Sequence, residues 1–218
     1  MDLSPFEDIP DEIFVQSSIS GSQQEVMSAE EFVPMSQYKG QYILIPVKSG
    51  LMFVNQRRAH IRVLYEKYIK QLQNSSAPVQ GLLFPERVEL SVAESAVLES
   101  ISADLHSLGF DISSLGGGTF ALQGVPADLD GFSPEKLLMD IIHCAMERTF
   151  EAKDKLHDKL ANVMAKDVAV ISGQVLSAEE MQNLVDELFR TPLPARTPDG
   201  RTIIHIVSDN EIERFFTK

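Results

Sequence analysis

Gln41-Tyr42-Ile43-Leu44-Ile45-Pro46-Val47-Lys48-Ser49-Gly50-Leu51-Met52-Phe53-Val54-Asn55-Gln56-Arg57-Arg58 passes from strand-forming to helix-forming sequence without a gap. Two apolar runs flank the turn Lys48-Ser49-Gly50, which predicts a β-hairpin. Pro46 has no backbone donor, so it must sit where its nitrogen faces no partner strand. From Gln56 onward the apolar positions Ile61, Leu64, Tyr65, Tyr68, Ile69 and Leu72 follow a helical period, and the spacing predicts an amphipathic helix over 56–72. Asn74-Ser75-Ser76-Ala77-Pro78 ends it.

Beyond that helix, residues 82–90 read as extended. Ser91-Val92-Ala93-Glu94 is a capping box, opening a helix through Val97, Leu98, Ile101, Leu105 and Leu108 that Gly109 closes. Strands over 110–115 and 119–125 flank Gly116-Gly117-Gly118, and Ser133-Pro134 starts a long helical stretch that should break near 150. Ser177-Ala178-Glu179-Glu180 caps another helix, followed by a Pro-rich turn, a strand over 202–207 and a short helix from Ser208. The β-α-β-β-α order between about 80 and 150 indicates a small α+β unit set into a larger one.

The 218 residues, 44% of them hydrophobic, can fill a substantial core, which excludes disorder of the whole chain. Nineteen basic residues stand against 32 acidic ones, a net charge of -13 that argues against non-specific binding to nucleic acid or an anionic membrane. Eight of the acids and no Lys or Arg fall in residues 1–33, whose apolar positions keep no period, so this stretch reads as a flexible acidic linker. The single Cys144 cannot form an internal disulfide, and no apolar run approaches a membrane span. A reducing, cytoplasmic setting without targeting segment or membrane is expected.

Few residues suggest chemistry. A phosphate cradle needs a helix after its glycines, whereas Thr119-Phe120-Ala121-Leu122 continues as a strand, so the triple glycine reads as a hairpin turn. His60, His106, His143, His157 and His205 are scattered, and no two stand three or four apart. His143 and Cys144 are adjacent on a helix and point about 100° apart, which favours a core cysteine over a nucleophile and base pair. The helix over 57–70 carries Arg57, Arg58, Arg62, Lys67 and Lys70 against Glu66 alone, a solvated basic face or, alternatively, a docking patch for phosphate or an acidic partner. No catalytic constellation, metal site or cofactor site assembles from these residues.

Several words in order resemble the C-terminal region of the MutL family of DNA mismatch repair proteins. Asn55-Gln56-Arg57-Arg58-Ala59-His60-Ile61-Arg62-Val63-Leu64-Tyr65-Glu66, after the strand pair, looks like the family's Asp-Gln-His-Ala-Ala-His-Glu-Arg-x-x-x-Glu segment. Gly109-Phe110 with Gly124-Val125-Pro126-Ala127 resembles its middle part. Leu176-Ser177-Ala178-Glu179-Glu180-Met181, then Thr197-Pro198-Asp199-Gly200-Arg201-Thr202, then Phe215-Phe216, resemble its closing elements. The likeness covers about 36–217.

The resemblance implies an α+β fold with a dimerisation subdomain built from 34–78 and 151–218 and a smaller regulatory subdomain inserted at 79–150. Many relatives are metal-dependent nicking endonucleases, and here the departures fall on the metal ligands. Asn55 stands for the Asp, Arg57 for the His and Ile61 for the first Glu, leaving Glu66. Thr197 and Asp199 stand where Cys and His are expected, and Ala165-Lys166-Asp167-Val168-Ala169 lacks its Cys. A permanently charged guanidinium in place of an imidazole would repel a divalent ion, so no metal and no nuclease activity is expected.

Gln80-Gly81-Leu82-Leu83-Phe84-Pro85 resembles the Gln-x-Leu-Leu-x-Pro word that binds the replicative sliding clamp, with Gln80, Leu82, Leu83 and Pro85 as its contacts. The implied function is a non-catalytic homodimerisation and docking module. Its partners are a second copy, the clamp and other mismatch repair proteins, with DNA touched only weakly, and any ATPase would lie outside this chain. The alternatives are a residual nicking endonuclease using Glu66 and Asp199, or an unrelated monomeric α+β protein with an enclosed apolar pocket.

Overall fold

A computed structural model describes residues 34–74, 77–127, 133–146 and 153–217. The acidic linker expected at 1–33 and the helical break expected near 150 lie outside the described residues. In chain order the elements are β1 (Ser36–Tyr38), β2 (Tyr42–Val47), β3 (Gly50–Asn55), α1 (Gln56–Asn74), β4 (Val79–Glu89), α2 (Val92–Ser100), α3 (Ser102–Ser107), β5 (Asp111–Gly116), β6 (Thr119–Pro126), α4 (Pro134–Met146), α5 (Lys153–Val168), α6 (Ala178–Phe189), β7 (Ile204–Ser208) and α7 (Asp209–Arg214). The fold is mixed α+β, with two antiparallel sheets among the described residues.

The first sheet has the order β1-β2-β3-β7, so strands from both ends of the described chain share it. The hairpin forms in the register Val47↔Gly50 to Tyr42↔Asn55, as its turn demands. β1 pairs only with Tyr42, Ile43 and Leu44, which leaves Pro46 on an open stretch of edge where a missing donor costs nothing. Pleating alternates the side chains. Ile43, Ile45, Met52 and Val54 turn inward against Ala59 of α1 and against Met181, Leu184, Val185 and Leu188 of α6, and together they form one buried core. Ser177 and Glu180 make the reciprocal capping box that starts α6.

The second sheet has the order β4-β6-β5. Gly116, Gly117 and Gly118 have φ of 88°, 62° and 78°, so the triple glycine turns a β5–β6 hairpin in a backbone region that other residues resist. A Cβ on Gly118 would lie 2.7 Å from the Leu90 carbonyl oxygen. This sheet, α2 to α5 and the later part of α1 enclose the larger core, in which Tyr68, Ile101, Leu122, Leu138, Ile141, Ile142, Leu160 and Met164 are fully buried. At about 1.5–3 kcal/mol for each large apolar side chain removed from water, these positions dominate the stabilisation. α1 therefore feeds both cores, with Ala59 in one and Ile61, Leu64, Tyr68 and Leu72 in the other.

Two sequence expectations change, and one short strand is new. The helix expected from Ser91 to Leu108 is two helices, because the backbone leaves helical geometry at Ile101, with φ -109° and ψ 10°. There the Val97 carbonyl accepts both the Ile101 N–H and the Ser100 hydroxyl, and this side-chain bond competes with the helical ladder. Cys144 is half-buried rather than a core residue. β1 carries no signal of its own, since three residues are too few to show a period.

Candidate functional site

Asn55 ends β3 and begins α1, where its Oδ1 accepts the Arg58 N–H at 3.0 Å and satisfies one of the donors a helix start leaves open. Gln56 is fully buried. Its amide nitrogen donates to the Gln174 carbonyl at 2.8 Å and its Oε1 accepts from Gln37 at 2.6 Å, which ties β1, α1 and the segment before α6 together. Nothing in the sequence distinguished Gln56 from a surface glutamine.

Arg57 reaches the C-terminal end of α5. Its Nη1 donates to the carbonyls of Ala169 and Val170 at 3.0 and 2.9 Å, and its Nη2 donates to Lys166 at 2.7 Å. One guanidinium thus satisfies three carbonyls at a helix end, where positive charge is favourable. His60 adds to the same joint, its Nδ1 accepting the Val170 N–H at 3.0 Å. Arg58 donates to the Thr202 carbonyl at 2.7 Å and Arg62 to the Arg196 carbonyl at 2.7 Å. Three of the five basic residues on α1 are therefore backbone donors that lock distant segments in place. For them the solvated face and the docking patch are both corrected.

The segment held by Arg58 and Arg62 contains Thr197 and Asp199. Buried Thr197 accepts the Arg201 N–H at 2.9 Å and donates its hydroxyl to Asp199. The Asp199 carboxylate also faces Lys166 at 3.5 Å and Arg201 at 3.2 Å. The Thr197 hydroxyl, followed by these two cations, holds the Asp199 carboxyl below the usual carboxylate range. Lys166 is the hinge of the arrangement, since its carbonyl takes Arg57 while its ammonium takes Asp199. Arg57, Lys166 and Asp199, from three distant stretches of the chain, thus meet in space.

The other two positions do not join this locus as ligands. Ile61 is buried in the larger core. Glu66 is held by Arg62 at 2.9 Å, with the side chains only 18% and 5% exposed. One turn from Arg62, Tyr65 donates to Asp158 at 2.9 Å, and burial followed by that acceptor pushes its phenol up to about 12. A divalent ion needs several anionic or imidazole ligands pointing at one place. Among the described residues no three His, Cys, Asp or Glu side chains converge, and both carboxylates here already face cations. The residues present do not fit a divalent metal.

The second candidate lies on β4, an edge strand of its sheet. β4 pairs with β6 at Val79, Gln80 and Gly81 and again from Glu86 to Glu89, while Gly81 faces Gly124 and Glu86 faces Leu122. Residues 82–85 thus bulge out opposite Gln123 alone. Leu83 is 87% exposed and Phe84 80%, Gln80 and Pro85 are exposed, and Leu82 packs partly against the larger core. Three of the four residues singled out from sequence face solvent and Leu82 does not. Phe84 was missed, because the word leaves its position unspecified.

A family model described as the MutL C terminal dimerisation domain matches residues 35–176. The chain belongs to this family. The DNA mismatch repair protein MutL of Bacteroides fragilis is 43% identical over 210 residues, covering 94% of this chain and 34% of that protein. MutL of Phocaeicola vulgatus is 44% identical over 180 residues, covering 83% and 29%, and MutL of Chlorobaculum tepidum is 35% identical over 214, covering 98% and 33%. The chain spans about a third of the length of the curated relatives it matches. Among the described residues no helix of this MutL-family chain is long and apolar enough to cross a membrane.

Proposed function

We propose that the chain is a non-catalytic homodimerisation and partner-docking module of a cytoplasmic DNA mismatch repair protein, and that it contacts the replicative sliding clamp and other repair proteins. The observation that carries the dimer is the outer face of the first sheet. Leu44, Phe53 and His205 are cross-strand neighbours there, beside Pro46, Leu51 and Val207. Tyr38 and Tyr42 extend the row. An apolar sheet face turned away from its own core is what a two-fold pair can cover with the same face of a second copy. The sheet joins strands from both ends of the described chain, which supports a dimerisation subdomain built from 34–78 and 151–218 around a regulatory insert at 79–150. Light scattering should give about twice 24.2 kDa, and Leu44→Asp with Phe53→Asp should give a folded monomer. A wild-type monomer at micromolar concentration defeats the reading.

Clamp contact is supported by the bulge of β4. The surface of Leu83 and Phe84 suits a shallow apolar groove, and the Gln80 amide can orient the docked segment. One such contact is small, and two copies in a dimer make the second attachment intramolecular. Absence of nuclease activity is supported by Arg57, Lys166, Arg62 and Arg201, which take up the space and the carboxylates a metal would use. Manganese-dependent nicking of supercoiled DNA that vanishes in Glu66→Ala would restore the enzyme alternative.

A further inference from the structure

A cleft of about 950 Å³ lies between α1, residues 168–174 and the end of α6; it shares His60, Ala169 and Val170 with the Arg57 joint but is lined by neither Asp199 nor the β4 bulge. Its rim gathers Lys67 and Lys70 from α1 and Arg190 from α6. Lys70 and Arg190 are exposed and have no ion-pair partner among the described residues. Of the two carboxylates on the rim, Glu66 is already held by Arg62, which leaves Glu187. In a chain of net charge -13 this is a local reversal of sign.

The floor is aliphatic, lined by Val63, Leu64, Val168 and Val170. Gln71 also lines it but is only 8% exposed, and its Oε1 is closed off from solvent.

We propose that this cleft docks an acidic peptide segment carrying an aliphatic side chain. Its carboxylates pair with Lys70 and Arg190, and the aliphatic group covers Val63 and Val170. The same cations could attract a nucleic acid strand, but no Phe, Tyr or Trp lines the cleft and its one imidazole, His60, is engaged by the Val170 N–H, so a base would find little stacking platform. The inference stands apart from the clamp and dimer contacts, because the cleft is lined neither by residues 80–85 nor by the outer face of the first sheet.

The test is fluorescence anisotropy of the full chain with a dye-labelled octapeptide of alternating glutamate and leucine. A lysine-for-glutamate version and a single-stranded octanucleotide serve as comparison probes. Saturable binding of the acidic peptide is expected, weakened about tenfold or more by Lys70→Glu with Arg190→Glu and screened by salt. Replacing the leucines of the peptide by serine removes the aliphatic group and should weaken binding about fivefold. No saturable binding, binding unaltered in the double variant, preference for the lysine peptide, or tighter binding of the oligonucleotide would each overturn the proposal. So would an anisotropy change that follows self-association rather than peptide concentration.

Discussion

The locus around Lys166 and the bulge of β4 both carry stretches that resemble words of the MutL family, and the fold treats them in opposite ways. At the first, the polar groups find partners within the molecule: Arg57 binds three carbonyls, Arg62 a carbonyl and Glu66, and Thr197 and two cations surround Asp199. At the second, Leu83 and Phe84 project into solvent from a strand that has let go of its neighbour. Side chains with partners inside the molecule stabilise it and have little left to offer a ligand. Side chains without such partners contribute little to folding and are available for binding.

The largest effect that would break this contrast is on stability at Arg57. Arg57→Ala leaves three carbonyls at the end of α5 without their charged donor and should cost about 3 kcal/mol, read as a lower urea midpoint at unchanged slope. A change near 0.5 kcal/mol would mean that water replaces the guanidinium and that this locus is no more structural than the bulge. Next comes Leu83→Ser with Phe84→Ser, which should alter the midpoint by about 0.5 kcal/mol or less yet reduce clamp affinity at least about tenfold. Gln80→Ala with Leu83→Ala should show the same split, and equal clamp affinity of wild type and variant would reduce 80–85 to an ordinary strand.

The smallest effect concerns Asp199. Its carboxyl is held down in the folded state, first by the Thr197 hydroxyl, so its contribution is present above the unfolded-state value and is lost as pH falls through the folded one. Between about pH 5 and pH 2 the wild type should therefore lose more stability than Thr197→Val does, measured as urea midpoint against pH. Parallel curves would show that Thr197 shapes the turn without setting the charge.

The parts of the fold readable from sequence were those with a local cause. The hairpin at Lys48-Ser49, the period of α1 and the capping boxes at Ser91 and Ser177 each need only a few neighbouring residues. The roles of Arg57 and Arg62 were not readable. Their acceptors lie 109 to 134 residues away, and an arginine that binds a carbonyl has the same spelling as one that faces water. The bulge lay between these cases: the word at 80–85 could be seen, but which of its side chains point outward depends on how Gly81 and Glu86 register against β6.

The double membership of α1 bears on how the molecule comes apart. One face of this helix supplies Ala59 to the first core, while Ile61, Leu64, Tyr68 and Leu72 enter the second. Neither sheet can lose its packing without stripping a side of the same nineteen-residue helix. Cooperativity between the two halves is thus built into one covalent element rather than into an interface, and a single unfolding transition is expected where two sheets and two cores would otherwise suggest two. The amides of α1 should be the last to exchange their hydrogens, opening only when the whole body opens.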